Sequence, residues 1–102
     1  MKYEISKNLV VSTGHISLAD DTLLKNREAC PLVVYNYEYG HIIYVDLNEN
    51  TDFNETIQQC GRHGFTEAFM TLMRIARREG CAYLKLDCDG PEYKHLTKFK
   101  WQ

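Results

Sequence analysis

VVSTGHISLADD (residues 10–21) decides how the chain begins to fold. The β-branched run LVVST (9–13) lies between Lys7-Asn8 and Gly14 and reads as a buried strand. Ser17 with Asp20 three residues on makes a capping-box pattern, and Asp21 adds negative charge where a helix dipole favours it. A strand therefore feeds a helix through Leu23 and Leu24, which Pro31 stops at the latest.

The same stretch is the sharpest functional candidate. Ser12, Thr13, Gly14 and His15 stand at a strand-to-helix junction, where the backbone N–H groups of Gly14 to Ser17 could hold a phosphate or carboxylate and His15 could supply charge or a proton. The structural alternative has Ser17 capping, Gly14 turning and His15 simply exposed. Only one glycine is present, and Asp20 and Asp21 already fill the niche an anion would want, which favours that alternative. On this reading His15→Ala is expected to leave the fold intact.

Working outward, PLVVYNYEYGHIIYVDL (31–47) is the clearest hairpin, two β-rich runs meeting at Tyr39-Gly40. Two registers compete. A bulged turn with Gly40 in the left-handed position sets Tyr37 opposite His41 and groups Val33, Tyr35, Tyr37, Ile43 and Val45 on one face. A plain two-residue loop groups Tyr35, Tyr37, Ile42 and Tyr44, leaving Leu32, Val34, Ile43 and Val45 to the other. The glycine favours the bulged turn.

Residues 48–62 turn polar and read as a loop with a short helix of about one or two turns, capped by Asp52 and ending before Gly61. HGFTEAFMTLMRIARREG (63–80) is the strongest helix. Thr66 caps it, Phe65 and Met70 are spaced as a hydrophobic staple, Phe69, Leu72, Met73 and Ala76 form the apolar stripe, and Gly80 ends it. CAYLKLDCDG (81–90) follows as a strand, Ala82, Leu84, Leu86 and Cys88 alternating with Tyr83, Lys85 and Asp87. Leu96, Phe99 and Trp101 of the tail are expected to tuck against the core.

The order β-α-β-β-α-β predicts an α+β domain over residues 1–102, a ferredoxin-like antiparallel sheet with helices packed on one face. In that arrangement the first and last strands are antiparallel neighbours. His15 then lies near Cys81, while Asp87 and Asp89 sit about 20 Å away at ~3.3 Å per strand residue. Joining His15 to Asp87 would need those strands to run parallel.

Composition narrows the function classes. Of 102 residues, 44% are hydrophobic and 25% charged, values of a soluble globular domain. No apolar run nears the roughly 20 residues that span a bilayer, and Lys and Glu interrupt the opening MKYEISKNLVVS before a secretory signal could form, so a cytoplasmic location is expected. The net charge is −2, with residues 1–59 acidic and 60–102 mildly basic. Cys30, Cys60, Cys81 and Cys88 read as thiols: none forms a C-x-x-C pair, and Cys60 with His63 is half a zinc motif. LDCDGPE falls short of a calcium loop, so neither metal nor cofactor is expected. Arg74, Arg77 and Arg78 read as a solvated helix face. Tyr35, Tyr37, Tyr39 and Tyr44 resemble base-stacking surfaces, but Glu38 and Asp46 flank them with no Lys or Arg in the hairpin, which argues against nucleic acid. Tyr35 and Tyr37 fit sheet packing or a protein partner better.

STGH with its acidic helix start, the GFTEAF helix opening, and LDCDG leading to a terminal FKW resemble a family of small bacterial proteins classed as a domain of unknown function and met near mobile-element genes. The family's Ser-Thr-small-His opening and its Leu-Asp-x-Asp-Gly segment before a closing Trp fall on Ser12, Thr13, His15, Asp87, Asp89 and Trp101, so the resemblance covers nearly the whole chain. HLTKFKW departs from it by lacking a proline before the aromatic pair. The resemblance implies no activity. The sequence thus predicts a non-enzymatic binding module for a protein partner, with no membrane association; the alternative is a small enzyme or anion-binding protein using Ser12, Thr13 and His15.

Overall fold

The computed structural model describes residues 3–26 and 30–101. Its elements are β1 (Asn8–Ser12), a 3-10 turn (Thr13–His15), α1 (Leu18–Lys25), β2 (Val34–Tyr37), β3 (Gly40–Tyr44), α2 (Phe53–His63), α3 (Glu67–Arg78) and β4 (Tyr83–Asp87). The architecture is α+β, and no described helix is long and apolar enough to cross a membrane.

The sheet order is β1-β4-β3-β2, with β1 parallel to β4 and the other neighbours antiparallel. This corrects the ferredoxin-like expectation, in which the last strand lies antiparallel beside the first. The physical reason is α2. It is an 11-residue helix capped by the Asp52 side chain on Glu55 N–H; it runs through Gly61 and ends at Gly64 in the left-handed conformation, where a short helix before Gly61 was expected. Two helical passes between β3 and β4, instead of one, return the chain to the opposite end of the sheet. β4 therefore enters antiparallel to β3, and β1 completes its other side in parallel.

The hairpin also takes the register not favoured from sequence. Tyr37 pairs with Gly40 across the two-residue loop Glu38-Tyr39. Gly40 is needed not for a bulge but for closeness: a Cβ there would stand 1.8 Å from the carbonyl oxygen of Leu86 on β4. The register decides what each face carries.

On one face, Val11, Val34, Ile43, Leu84 and Leu86 form a single hydrophobic cluster with Leu24 of α1, Ile57 and Cys60 of α2, and Phe69, Leu72, Met73 and Ala76 of α3. All three helices thus cover the same side, and the apolar stripe of α3 points where its periodicity predicted. Phe65 stacks on Phe69 with centroids 4.4 Å apart, and Thr66 caps α3 by accepting from Phe69 N–H. Among the described residues no helix lies on the opposite face. Tyr35, Ile42, Tyr44, Tyr83 and Lys85 line it, half-buried or exposed.

Candidate functional site

Parallel pairing sets Ser12 beside Asp87 and carries Cys81 to the far end, the reverse of the neighbourhood expected for His15. The STGH turn and LDCDG thus share one end of the sheet. The turn is closed by its own chain. The Ser12 hydroxyl accepts from Gly14 N–H at 3.0 Å, the Ser17 side chain accepts from Asp20 N–H, and the Asp20 carboxylate returns to Ser17 N–H. Asp20 is fully buried and also accepts from the backbone N–H and hydroxyl of Thr66, at 2.9 and 2.6 Å. A single carboxylate therefore occupies the positive ends of both α1 and α3, where an external anion would otherwise bind.

The expectation of an exposed His15 is corrected: the ring is buried, 1% accessible. Its Nε2 accepts from Tyr93 N–H at 2.9 Å, so that nitrogen carries no proton, and Nδ1 donates to the Thr97 carbonyl at 2.7 Å. This neutral tautomer pins the tail to the turn. Ser12 N–H donates to the Pro91 carbonyl, Phe99 N–H to the Gly14 carbonyl and the Trp101 indole to the Ile16 carbonyl, so the tail runs along the β1 edge. A Cβ on Gly90 would sit 2.8 Å from the Val11 carbonyl oxygen, which is why the crossing needs glycine. His15 and Asp87 share an end of the sheet but no hydrogen bond: the Asp87 carboxylate accepts from the Tyr37 hydroxyl at 2.6 Å and from Asp89 N–H.

A second buried histidine was not singled out from sequence. His41 faces the helices, 2% accessible, with Nε2 2.6 Å from the Asp21 carboxylate and Nδ1 2.5 Å from the Asn36 side-chain oxygen. Because a carboxylate only accepts, Nε2 is the donor in the contact with Asp21. Asn36 donates in turn to the Leu24 carbonyl, and Lys25 lies 2.9 Å from Asp21. Burial pushes the Asp21 carboxyl up, but hydrogen bonds and charge from His41 and Lys25 more than reverse this and hold it below its ordinary value. Choosing the two-residue loop would have brought this site out in the sequence, because that register sets Asn36, in place of Tyr37, opposite His41.

Asp21, Asn36 and His41 form one wall of a cleft of about 210 Å³, which Thr13, Tyr37, Tyr39, Cys88 and Trp101 also line. Its groups are poor reagents. Cys88 is exposed, but its thiol is pushed up by desolvation and then by the charges of Asp89 and Asp87, the opposite of an activated nucleophile. Burial and the neighbouring Asp87 carboxylate raise the Tyr37 phenol far above its ordinary value. Asp87, Cys88 and Asp89 present ligand atoms within 4.8 Å of one another, but Asp87 is engaged by Tyr37 and by the turn itself. Of the helix arginines, Arg74 pairs with Glu67 and Arg78 with Glu79, while Arg77 lies over the Phe53 ring with its Nη1 buried and without a hydrogen-bond partner among the described residues.

The uncovered sheet face is the remaining feature. Tyr35 and Tyr44 are 54% and 41% exposed, and Tyr44 meets Tyr83 edge to face at 5.9 Å. Val33, 51% exposed, extends the patch toward the start of β2. Tyr35 and Tyr37, both singled out from sequence, share this face, with Lys85 over the Tyr37 ring.

The family described as "Family of unknown function (DUF5983) C-terminal domain" matches residues 8–101. No curated protein and no solved structure matches the chain.

Proposed function

The chain belongs to the DUF5983 family of unknown function, a membership that brings no activity with it, and we propose from the molecule itself a non-enzymatic binding module that engages a protein partner through the open face of its sheet. The observation that carries this reading is the contiguous run Val33, Tyr35, Ile42, Tyr44 and Tyr83 on a face from which all three helices are absent. An antiparallel hairpin tolerates one solvated face, but that face is then normally polar. Here it is aromatic and aliphatic, the composition enriched at protein interfaces. Lys85 is its one central cation, which weighs against a phosphate backbone as partner.

The alternative, chemistry at Ser12, Thr13 and His15, loses support from the local bonding. Ser12 and His15 are buried, and both ring nitrogens of His15 serve the backbone of the tail. Four free thiols fit action in the cytoplasm, where cysteines stay reduced.

The test is site-specific photo-crosslinking in the native host. A benzophenone side chain at Tyr35 or Tyr44 is expected to give discrete protein adducts, whereas the same group at exposed Gln58 on α2 gives none. Equal adducts from both sides, or none from the tyrosines, would overturn the reading.

A further inference from the structure

At the end of the sheet, the β2–β3 turn, the end of β4, α1 and the tail converge on the 210 Å³ cleft. That volume suits one large side chain and falls below the roughly 300–1,000 Å³ of small-molecule sites. Besides the polar wall of Asp21, Asn36 and His41, its lining includes Tyr37, Tyr39 and Trp101. Tyr37 and Tyr39 meet edge to face at 6.3 Å, and Trp101 lines the same cleft. Tyr39 and Trp101 remain 49% and 39% exposed, so packing has not consumed their surfaces.

The charges around the rings are unbalanced in one direction. Lys25 is already paired with Asp21, and both ring nitrogens of His41 face Asp21 and Asn36. Glu38, in the turn itself, has no ion-pair partner among the described residues, and Asp87 and Asp89 flank Cys88 at the rim. The protein's own Lys85 ammonium stands 5.7 Å from the Tyr37 ring centroid on the open face, an instance of the cation attraction these rings offer.

We infer that the cleft receives an arginine side chain of the partner, an inference that rests on the binding-module reading and names its anchor. A guanidinium is planar, stacks on tyrosine and indole, and presents a fork of N–H donors to a carboxylate such as Glu38. An acidic side chain would meet Glu38 and Asp87. An apolar one would desolvate Glu38 without giving it a partner.

The experiment titrates the full chain with N-acetyl-arginine N-methylamide at millimolar concentration, following backbone amides and the Trp101 indole by NMR. The glutamate and phenylalanine N-methylamides serve as comparators. The arginine probe is expected to give saturable shifts at Tyr39, Gly40, Cys88 and the indole, with affinity roughly tenfold above either comparator. Glu38→Gln and Tyr39→Ala, both on exposed turn positions, should each weaken it severalfold with the amide spectrum otherwise unchanged. Non-saturating shifts, equal response to phenylalanine or glutamate, or undiminished binding in Glu38→Gln would overturn the proposal. Crosslinking from Tyr35 and Tyr44 reads the wider face separately: adducts without arginine binding remove the anchor alone, while arginine binding without adducts removes the face and keeps the cleft.

Discussion

The corner around His15 and the face around Tyr35 put polar and aromatic groups to opposite uses. At the corner, Ser12, His15, Ser17 and Asp20 are bonded to this chain's own backbone or to the helix ends, so these groups are committed to holding the turn, the tail and two helices. On the open face the tyrosines contact one another and leave much of their surface to solvent. In the conspicuous motif the hydrogen-bonding capacity of Ser12, His15 and Ser17 is already filled, whereas the open face keeps aromatic surface without a partner among the described residues.

This contrast breaks most sharply at Asp20. Asp20→Ala leaves the N–H groups of Ser17 and Thr66 without their carboxylate in a buried setting, and a loss of about 3 kcal/mol is expected in denaturant unfolding. A loss below about 0.5 kcal/mol would show that the two helix ends do not depend on it. His15→Ala should cost about 2 kcal/mol and, in hydrogen exchange, deprotect the amide of Tyr93 ahead of the sheet. Unchanged exchange at Tyr93 would return His15 to the exposed role its motif suggested.

A smaller effect is expected in acid. Because Asp21 is held below its ordinary value, its contribution is complete above about pH 4 and disappears as the pH falls through the lower folded value. Asp21→Asn should thus flatten the acid limb of the stability profile, and a profile parallel to that of the wild type would refute the coupling to His41 and Lys25. The smallest stability effect belongs to the open face. Tyr35→Ser and Tyr44→Ser are expected to stay within about 0.5 kcal/mol of wild type in thermal unfolding, since neither ring is in the core cluster. A cost above about 1.5 kcal/mol would make that face structural and weaken its claim as an interface.

Part of the proposed face is legible in the sequence. Tyr35 and Tyr37 were identified on aromatic composition, but their face depended on a hairpin register that the glycine rule chose wrongly. Gly40 answers to a steric demand from Leu86, 46 residues away in sequence, and no local pattern carries that information. His41 stayed hidden for the same reason. The burial of His15 depends on a tail whose sequence, PEYKHLTKFKWQ, has no periodicity to tell which element it lies on.

The sequence by itself determined the elements held by short-range physics: the Ser17–Asp20 and Thr66 caps, the apolar stripe of α3, the alternation of β4 and the existence of the β2–β3 hairpin. Only the tertiary structure decided the direction of β4, the face given to the tyrosines and the inward turn of both histidines. Caps and periodicity are satisfied within a few residues, whereas strand direction follows from the number of times the chain crosses the sheet. One additional helix, α2, reverses that count, and with it β4 runs parallel to β1 instead of against it.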